Sequence, residues 1–286
     1  MSALPPLTTK QDRLREHRRR ARRSITISTL STIVVIGGLV TYVLTSPGWP
    51  DVRTQFFSSS AFASSFGSVL SGFWLDVRMF LVIEVGVLVL GLIIALIRTA
   101  NAPVLFPLRL LAIVYVDVMR GIPTILLVYL IVFAVPGLHL SGVPTSPVVL
   151  SGIALAMCYS AYVSEVFRAG LESIHPGQAG AALALGLTPV QALRYVVVPQ
   201  AVRRVIPPLL NDFIALQKDV ALVSIAGPQE AFRVAQIFAA STFNYTPLLA
   251  AAALYLCVTI PMTRIVDRLQ ARSRRERGAV LALGPR

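Results

Sequence analysis

The feature that most constrains this chain is a run of twenty-one residues, 25–45, without a single charged side chain. A helix of that length crosses the apolar core of a bilayer, whereas the strands of a membrane barrel would alternate over roughly ten residues. Similar apolar runs recur along the chain, and hydrophobic residues make up 55% of it against 14% charged residues. The sequence therefore predicts an all-α membrane protein.

Six candidate transmembrane helices follow from the hydropathy. They are residues 25–45, 76–97, 105–135, 147–167, 201–227 and 247–263. The first run could also be a secretory signal, but it is long for that role and no small-residue cleavage site follows it. We therefore expect an uncleaved anchor ahead of the other five helices.

Arginine and lysine are concentrated on alternate sides of these helices. Residues 1–24 hold eight, 98–109 hold two, 168–204 hold four and 264–286 hold seven, whereas the three alternate loops hold one, none and one. Because short loops rich in these residues stay inside, both termini are predicted to be cytoplasmic. A basic arm can also bind nucleic acid, but topology accounts for the net charge of +13, so no nucleic-acid partner is predicted.

These boundaries divide a multi-pass protein of the cell membrane, surrounded by lipid, into five segments. They are a basic cytoplasmic arm at 1–24, an anchor at 25–45, an extracytoplasmic linker at 46–75, a transmembrane core at 76–270 and a basic cytoplasmic tail at 271–286. In the linker, Phe62, Phe66, Leu70 and Phe73 share one helical stripe. This pattern favours a helix in the membrane interface over packing in the core.

No catalytic or metal site is predicted. Cys158 and Cys257 lie inside predicted helices, where a thiol behaves as a small apolar side chain, and the histidines are distributed over different sides of the membrane. A phosphate-binding loop needs a lysine in the context G-x-x-x-x-G-K, which neither Lys10 nor Lys218 has. We therefore expect this chain to bind no ATP and no other cofactor.

The longest cytoplasmic loop, 168–200, is predicted to form two short helices. Pro176 suits a first helical position, and Gly186 suits the left-handed residue that ends a helix. Thr188 then caps a second helix, which is expected to run to Pro199.

The first of these helices has very little side-chain bulk, because it is built from Ala179, Gly180, Ala181, Ala182 and Ala184. Such a face suits close insertion into a groove on another protein. The alternative is an amphipathic hairpin that only covers the inner end of the helix bundle.

The loop resembles the EAA loop of ABC-importer permeases through the spacing Gly180-Ala181-Ala182-x-x-x-Gly186, followed by Val196-x-Val198-Pro199. Four ordered blocks extend the resemblance to the polar amino acid branch of that superfamily, over about residues 71–270. They are "YVDVMRGIPTILLVYL", "AYVSEVFRAGLESIHPGQ", "ALGLTPVQALRYVVVPQAVR" and "PPLLNDFIALQKD".

The resemblance implies a five-helix type I importer core preceded by one extra N-terminal helix. It also implies import of a polar amino acid by alternating access, with an extracytoplasmic substrate-binding protein and a second permease subunit, identical or paralogous. A cytoplasmic ABC ATPase dimer would bind ATP and Mg²⁺ and drive the cycle. The loop would be the coupling element, with these residues seated in a cleft of the ATPase: Gly180, Ala181, Ala182, Gly186 and Pro199.

The chain departs from the family pattern at several positions. Gly180 stands where the motif has Glu, and Val220 and Ala221 replace a pair of small hydroxyl residues. At Asp76 the family more often has Thr, a change that nothing in the sequence explains.

Ionisable residues at membrane depth are costly and therefore mark candidate functional positions. Asp117 and Arg120 are spaced to pair on one helical face, either as a structural pair or in the substrate path. Glu165 and Arg168 repeat this spacing at the cytoplasmic end of a span, where we expect them to brace the coupling loop.

Pro207 and Pro208 should bend or break the span at 201–227. The substrate path or gate is predicted beside this break, because an amino acid needs both signs of charge. The candidates are Asn211, Asp212, Lys218 and Asp219.

A different class of protein is also compatible with the composition. An ion-coupled secondary transporter or a channel would work without an ATPase, but it would usually show an inverted repeat or a dedicated ion site. The sequence shows neither, and a basic coupling loop has no purpose in such a protein.

Overall fold

The computed structural model describes residues 10–100 and 102–282, with side chains for 24–100 and 102–271. Every regular element in these ranges is helical, which confirms the all-α class. Residues 1–9 of the predicted arm and 283–286 of the predicted tail lie outside the described residues.

The chain divides into two units, residues 1–57 and 58–286. The first unit contains α1 (Lys10–Leu44) and α2 (Trp49–Phe56). The segment Ser24–Leu44 of α1 is long and apolar enough to cross a membrane, and 0% of it is buried inside the chain. Lipid or another chain has to cover its apolar side chains.

The second unit contains the remaining helices. In chain order they are α3 (Ser59–Thr99), α4 (Phe106–Gly121), α5 (Thr124–Gly137), α6 (Pro147–Glu172), α7 (Pro176–Ala184), α8 (Pro189–Ala192), α9 (Val198–Asp219), α10 (Ala231–Thr242) and α11 (Thr246–Ala282). Three short segments with non-α helical geometry flank some of them. They are a 3-10 turn at Pro103–Leu105, a π turn at Leu193–Val197 and a 3-10 helix at Val220–Ala226.

The number of apolar spans differs from the six expected. In the described part of the chain, 4 helical segments are long and apolar enough to cross a membrane, and α4 with α5 makes a fifth if the pair counts as one span. The two helices meet at 108°, so the expected span at 105–135 is two helices with a sharp corner between them. The expected span at 201–227 is not among these apolar segments. Helix α9 carries four charged residues, at Arg203, Arg204, Asp212 and Lys218, before it ends at Asp219.

Residues 59–75 of the expected linker at 46–75 form the first part of helix α3, continuous with the span that follows. Helix α3 begins at Ser59 instead of near residue 76, and the Ser58 backbone N–H donates to the Thr246 hydroxyl at 3.0 Å. Phe73 is 7% exposed and meets the Tyr255 ring edge to face, with centroids 5.2 Å apart. The prediction that this stripe avoids the core is therefore wrong at Phe73, because α10 and α11 cover it.

Glycines allow the central helices to approach closely. A Cβ at Gly91 of α3 would lie 2.8 Å from Val163 Cγ1 of α6, and a Cβ at Gly170 of α6 would clash with the Val205 side chain of α9. Small residues at such crossings are what let membrane helices pack backbone to backbone. Helix α6 thus contacts α3 on one side and α9 on another, and the apolar core of the unit lies around it.

Candidate functional site

Helix α7 of the 168–200 loop is capped at both ends. At its start the His175 Nδ1 accepts a backbone N–H from the first turn at 3.0 Å. At its end Gly186 has a φ of +87°, its N–H donates to the Leu183 carbonyl at 3.0 Å, and the Leu187 N–H donates to the Ala182 carbonyl at 3.2 Å. This pair of bonds is a Schellman ending, so the predicted glycine corner is confirmed.

Helix α8 also begins as predicted but ends differently. The Thr188 hydroxyl accepts the Gln191 N–H at 3.3 Å while the Gln191 side chain accepts the Thr188 N–H at 2.9 Å, which forms a capping box. The helix does not run on to a stop at Pro199. Instead the π turn at Leu193–Val197 leads directly into α9, in which Pro199 is the second residue.

The small residues of α7 do not share one environment. Gly180 and Ala181 are exposed, and a Cβ at Gly180 would have no atom within 4 Å. Ala182 is 4% exposed and lies inside the chain. Its small side chain allows close internal packing of the loop and does not form part of the outer face, which corrects the expectation that it is offered to a partner.

Large apolar side chains cover much of the outer face of the loop, and sequence reasoning missed them. Leu185 is 83% exposed and Val190 is 73% exposed. Further residues of this exposed apolar set are Leu183, Leu193 and Tyr195. The sequence does contain one signal for this surface: large apolar residues stand on both sides of Gly186, where the chain turns a corner.

Helix α9 holds the loop at two points that the sequence did not predict. The Gln200 amide donates to the Gln178 side chain of α7 at 3.2 Å. The Arg204 guanidinium donates to the Ser173 carbonyl just before α7. These contacts join residues far apart in sequence, so no local pattern could reveal them.

Glu165 and Arg168 form an ion pair at the end of α6 that carries the loop. Their Oε2 and Nη2 atoms are 2.6 Å apart, and Arg168 also contacts Glu172 at 2.7 Å. The sequence analysis did not find the third partner, Arg98 at the end of α3, whose guanidinium donates to Glu165. The network therefore ties α3 to the helix from which the loop departs.

Asp117 and Arg120 do not pair in the described part of the structure. The Arg120 guanidinium lies 5.5 Å from the centroid of the Tyr162 ring of α6, and Asp117 is exposed. Packing of α4 on α6 brings the ring beside the guanidinium, where a cation–π contact replaces the expected ion pair.

Helix α9 is not broken at its prolines. The helix is continuous through Pro207 and Pro208 and tightens into a 3-10 helix only after Asp219. Asn211 is exposed, and the Oδ2 atom of Asp212 is buried without a hydrogen-bond partner.

Lys218 and Asp219 face different surroundings. Asp219 accepts the Tyr159 hydroxyl hydrogen at 2.7 Å, which joins it to α6. Lys218 instead lines a cavity of about 430 Å³ together with Ala221, Phe232, Leu248, Ala251, Ala252 and Tyr255. The two opposite charges thus do not form one pocket, and of the pair only Lys218 faces this cavity.

No group of three or more His, Cys, Asp and Glu side chains that could hold a metal occurs within the described ranges. The arrangement offers binding surfaces, and its long apolar helices are those of a multi-span membrane protein. The family model for the binding-protein-dependent transport system inner membrane component matches residues 87–275. The chain belongs to this family, which confirms the resemblance seen in its sequence.

Curated relatives extend over most of the chain. It is 33% identical over 205 residues to the probable amino-acid permease protein YxeN of Bacillus subtilis, covering 71% of this chain and 90% of that protein. It is 34% identical over 188 residues to the glutamine transport system permease protein GlnP of Escherichia coli, covering 65% and 84% respectively.

Solved structures share the fold. A chain of an amino acid ABC transporter crystallised with histidines matches with a TM-score of 0.68 and 30% identity, over 75% of this chain and 98% of that one. A chain of the MetNI methionine ABC transporter in an inward-facing conformation matches with a TM-score of 0.56 and 20% identity. The second likeness concerns the fold alone.

Proposed function

We propose that this chain is the transmembrane subunit of an ATP-driven, binding-protein-dependent importer of polar amino acids. The named relatives support the substrate class, since several are amino-acid or glutamine permeases. The single observation that carries the mechanism is the 168–200 loop, a doubly capped helix with an exposed apolar set on its outer face.

The loop is suited to docking on a separate protein. Its caps use hydrogen bonds within the loop itself, so the outer face is already shaped before any partner arrives. A preformed apolar helix face loses little entropy on entering a groove. The proposed partner is a cytoplasmic ABC ATPase dimer, which would carry ATP and Mg²⁺ on its own chains.

Movement of the loop would be passed to the bundle through polar contacts. Gln178 and Ser173 join the loop to α9, and the Glu165–Arg168–Arg98 network joins the end of α6 to α3. Closure of the ATPase dimer would thus displace α6 and α9 together. In this proposal that displacement alternates the access of the substrate between the two sides of the membrane.

The remaining assembly follows the same proposal. A second permease subunit would complete the path, and an extracytoplasmic binding protein would deliver the amino acid. The Arg98–Glu165 contact brings the carboxyl ends of α3 and α6 to one side, and this supports a cytoplasmic loop because that side is rich in arginine.

The test uses the complete complex in proteoliposomes and the substitution Gly186→Asp. A φ of +87° strains any residue with a side chain, and a carboxylate at this corner would lie beside the exposed apolar set. ATP hydrolysis stimulated by the binding protein should fall at least tenfold, a change equivalent to about 1.4 kcal/mol. The permease should still insert into the membrane, because the corner lies outside the bundle.

Gly180→Glu is the matched control, since it adds a longer acidic side chain in the same loop at a position with open space around it. It should retain normal stimulation. Normal stimulation in Gly186→Asp, or failure of a tagged chain to retain any ATPase during purification, would overturn the proposal and favour a transporter that works without one.

A further inference from the structure

Two carboxyl groups are buried together where α3, α10 and α11 meet. Asp76 of α3 is 2% exposed and Glu230, which precedes α10, is 0% exposed. The Tyr255 hydroxyl of α11 lies 2.8 Å from Asp76 Oδ2 and 3.4 Å from Glu230 Oε2. One hydroxyl therefore contacts both carboxyl groups, which places them next to each other.

No cation neutralises this pair in the described part of the chain. Neither carboxyl group takes part in an ion pair with Lys, Arg or His. Arg233 on α10 is exposed, and Arg78 on α3 lines a cavity against α6 instead. Lys218 lines a cavity that Tyr255 also lines, and it forms no ion pair with either carboxyl group. Two adjacent buried carboxylates without a counter-charge would repel each other strongly.

A bound metal ion does not fit this cluster. The two oxygens of Glu230 accept the backbone N–H groups of Phe232 and Arg233, each at 2.7 Å, and so cap the positive end of the α10 dipole. Asp76 Oδ2 also accepts the Ala231 N–H at 3.3 Å. Donors surround three of the four carboxylate oxygens, an arrangement that would have to be dismantled before a metal could bind.

One oxygen remains. Asp76 Oδ1 is buried and has no hydrogen-bond partner, so an ionised Asp76 would leave this atom unsatisfied. A proton held by the two carboxyl groups cancels one of the negative charges and so removes the repulsion. It also lowers the cost of leaving Asp76 Oδ1 without a partner, because an unsatisfied atom of a neutral carboxyl group costs less than one of a carboxylate.

We propose that Asp76 and Glu230 share one proton and act as a latch that holds α10 against α3 and α11, and that loss of this proton releases α10.

The direction of the pH dependence follows from Glu230, which lies outside the apolar spans. Burial, with the Asp76 carboxyl beside it, raises the pKa of Glu230 from 4.5 to about 7. A raised pKa means that the closed latch is fully stabilised below about pH 4.5, the value for a free carboxyl group. This stabilisation is lost as the pH rises through about 7.

The test measures amide hydrogen exchange of α10 in the full chain, in detergent or lipid nanodiscs, corrected for the intrinsic pH dependence of exchange. In the wild type, protection of residues 231–242 should fall as the pH rises from about 4.5 to about 7, by up to about tenfold for each pH unit, and should level off at higher pH. Protection of buried amides in α6 should not change. Corrected α10 protection that is independent of pH would overturn the proposal without any variant.

Three variants separate the proton from the packing. Asp76→Asn and Asp76→Thr remove the second carboxyl group, so the fall of α10 protection with rising pH should be much smaller in both than in the wild type. Tyr255→Phe should weaken protection about equally at low and high pH, because it removes a hydrogen bond but leaves the pair that titrates. Wild-type pH dependence in a folded Asp76→Asn or Asp76→Thr protein would show that another group is responsible.

Discussion

Gly72 of α3 lies directly against the backbone of Glu230. A Cβ at position 72 would be 2.7 Å from the Glu230 carbonyl carbon and 2.8 Å from the Ala231 nitrogen. A side chain could rotate away from such a contact, but the backbone at the start of α10 cannot. The absence of a side chain at Gly72 therefore sets how closely α10 approaches α3.

Gly72→Ala should lower the free energy of unfolding by about 1–3 kcal/mol, the usual cost of overpacking a tight contact. Thermal unfolding of the purified chain in detergent would measure this. Gly86→Ala is the control on the same helix, because a Cβ there would meet no atom within 4 Å. Equal unfolding midpoints for the two variants would contradict the close approach.

Arg98→Met should destabilise the cytoplasmic end of the bundle. The side chains of Arg98 and Glu165 are only 12% and 19% exposed, so removing the guanidinium leaves a poorly solvated carboxylate with one partner fewer. We expect a loss of about 1–2 kcal/mol, between the values typical of exposed and buried pairs. Unfolding midpoints would be compared with those of Glu165→Gln and of the double variant, which should be markedly non-additive.

The control for this substitution is Arg264→Met, which removes a pair on the surface. Arg264 and Asp267 are 3.8 Å apart, with side chains 73% and 58% exposed. Such a pair contributes about 0–1 kcal/mol, so the unfolding midpoint should hardly move. A loss as large as that of Arg98→Met would show that burial is not what makes the Arg98 contact important.

The topology predicts which positions an impermeant thiol reagent can reach in intact cells. In a background without Cys158 and Cys257, cysteines at Ser59 and Ser141 should react from outside, because both residues are exposed on the proposed outer side. A cysteine at Val190, which is 73% exposed on the coupling loop, should react only after the membrane is opened. Labelling of position 190 in intact cells would reverse the proposed orientation.

Lys218→Met should reduce uptake in the reconstituted complex at least tenfold, since it removes the only charged side chain that lines the cavity beside Tyr255 in the described structure. Lys218→Arg keeps the charge and should retain most of the uptake. ATPase retention on purification should be normal in both variants. Unchanged uptake in Lys218→Met would mean that this cavity is not part of the substrate path.

The short helices of the 168–200 loop were predictable because residues close in sequence form their caps. Helix caps depend on residues three to six positions apart, so Thr188 was sufficient to place the start of α8 and Gly186 to place the end of α7. Hydropathy was equally reliable for 25–45 and 147–167, because an apolar run of about twenty residues with at most one charged side chain has few alternatives. It failed at Ser59, since residues such as Ser64, Ser65 and Ser68 lower the hydropathy of a segment that is nevertheless one continuous helix with the span.

Contacts between distant residues were not predictable in this way. Arg120 was assigned to Asp117 because spacing is all that one helix offers, and only the packing of α4 on α6 reveals Tyr162 as its neighbour. For the same reason the sequence did not reveal that Arg98 contacts Glu165 or that Glu230 lies beside Asp76. In each case the two residues are far apart in the chain and are brought together by the packing of helices.

The π turn at Leu193–Val197 has a consequence for how the loop is oriented. A π turn holds one residue more than an α turn, and each residue of an α-helix advances about 100° around the axis. The outer face of α8, with Val190, is therefore rotated by about that angle from where an unbroken helix starting at α9 would point it. The direction in which this outer face points thus depends on chain length as much as on composition, and deleting one residue from the π turn would redirect the face without altering any side chain on it.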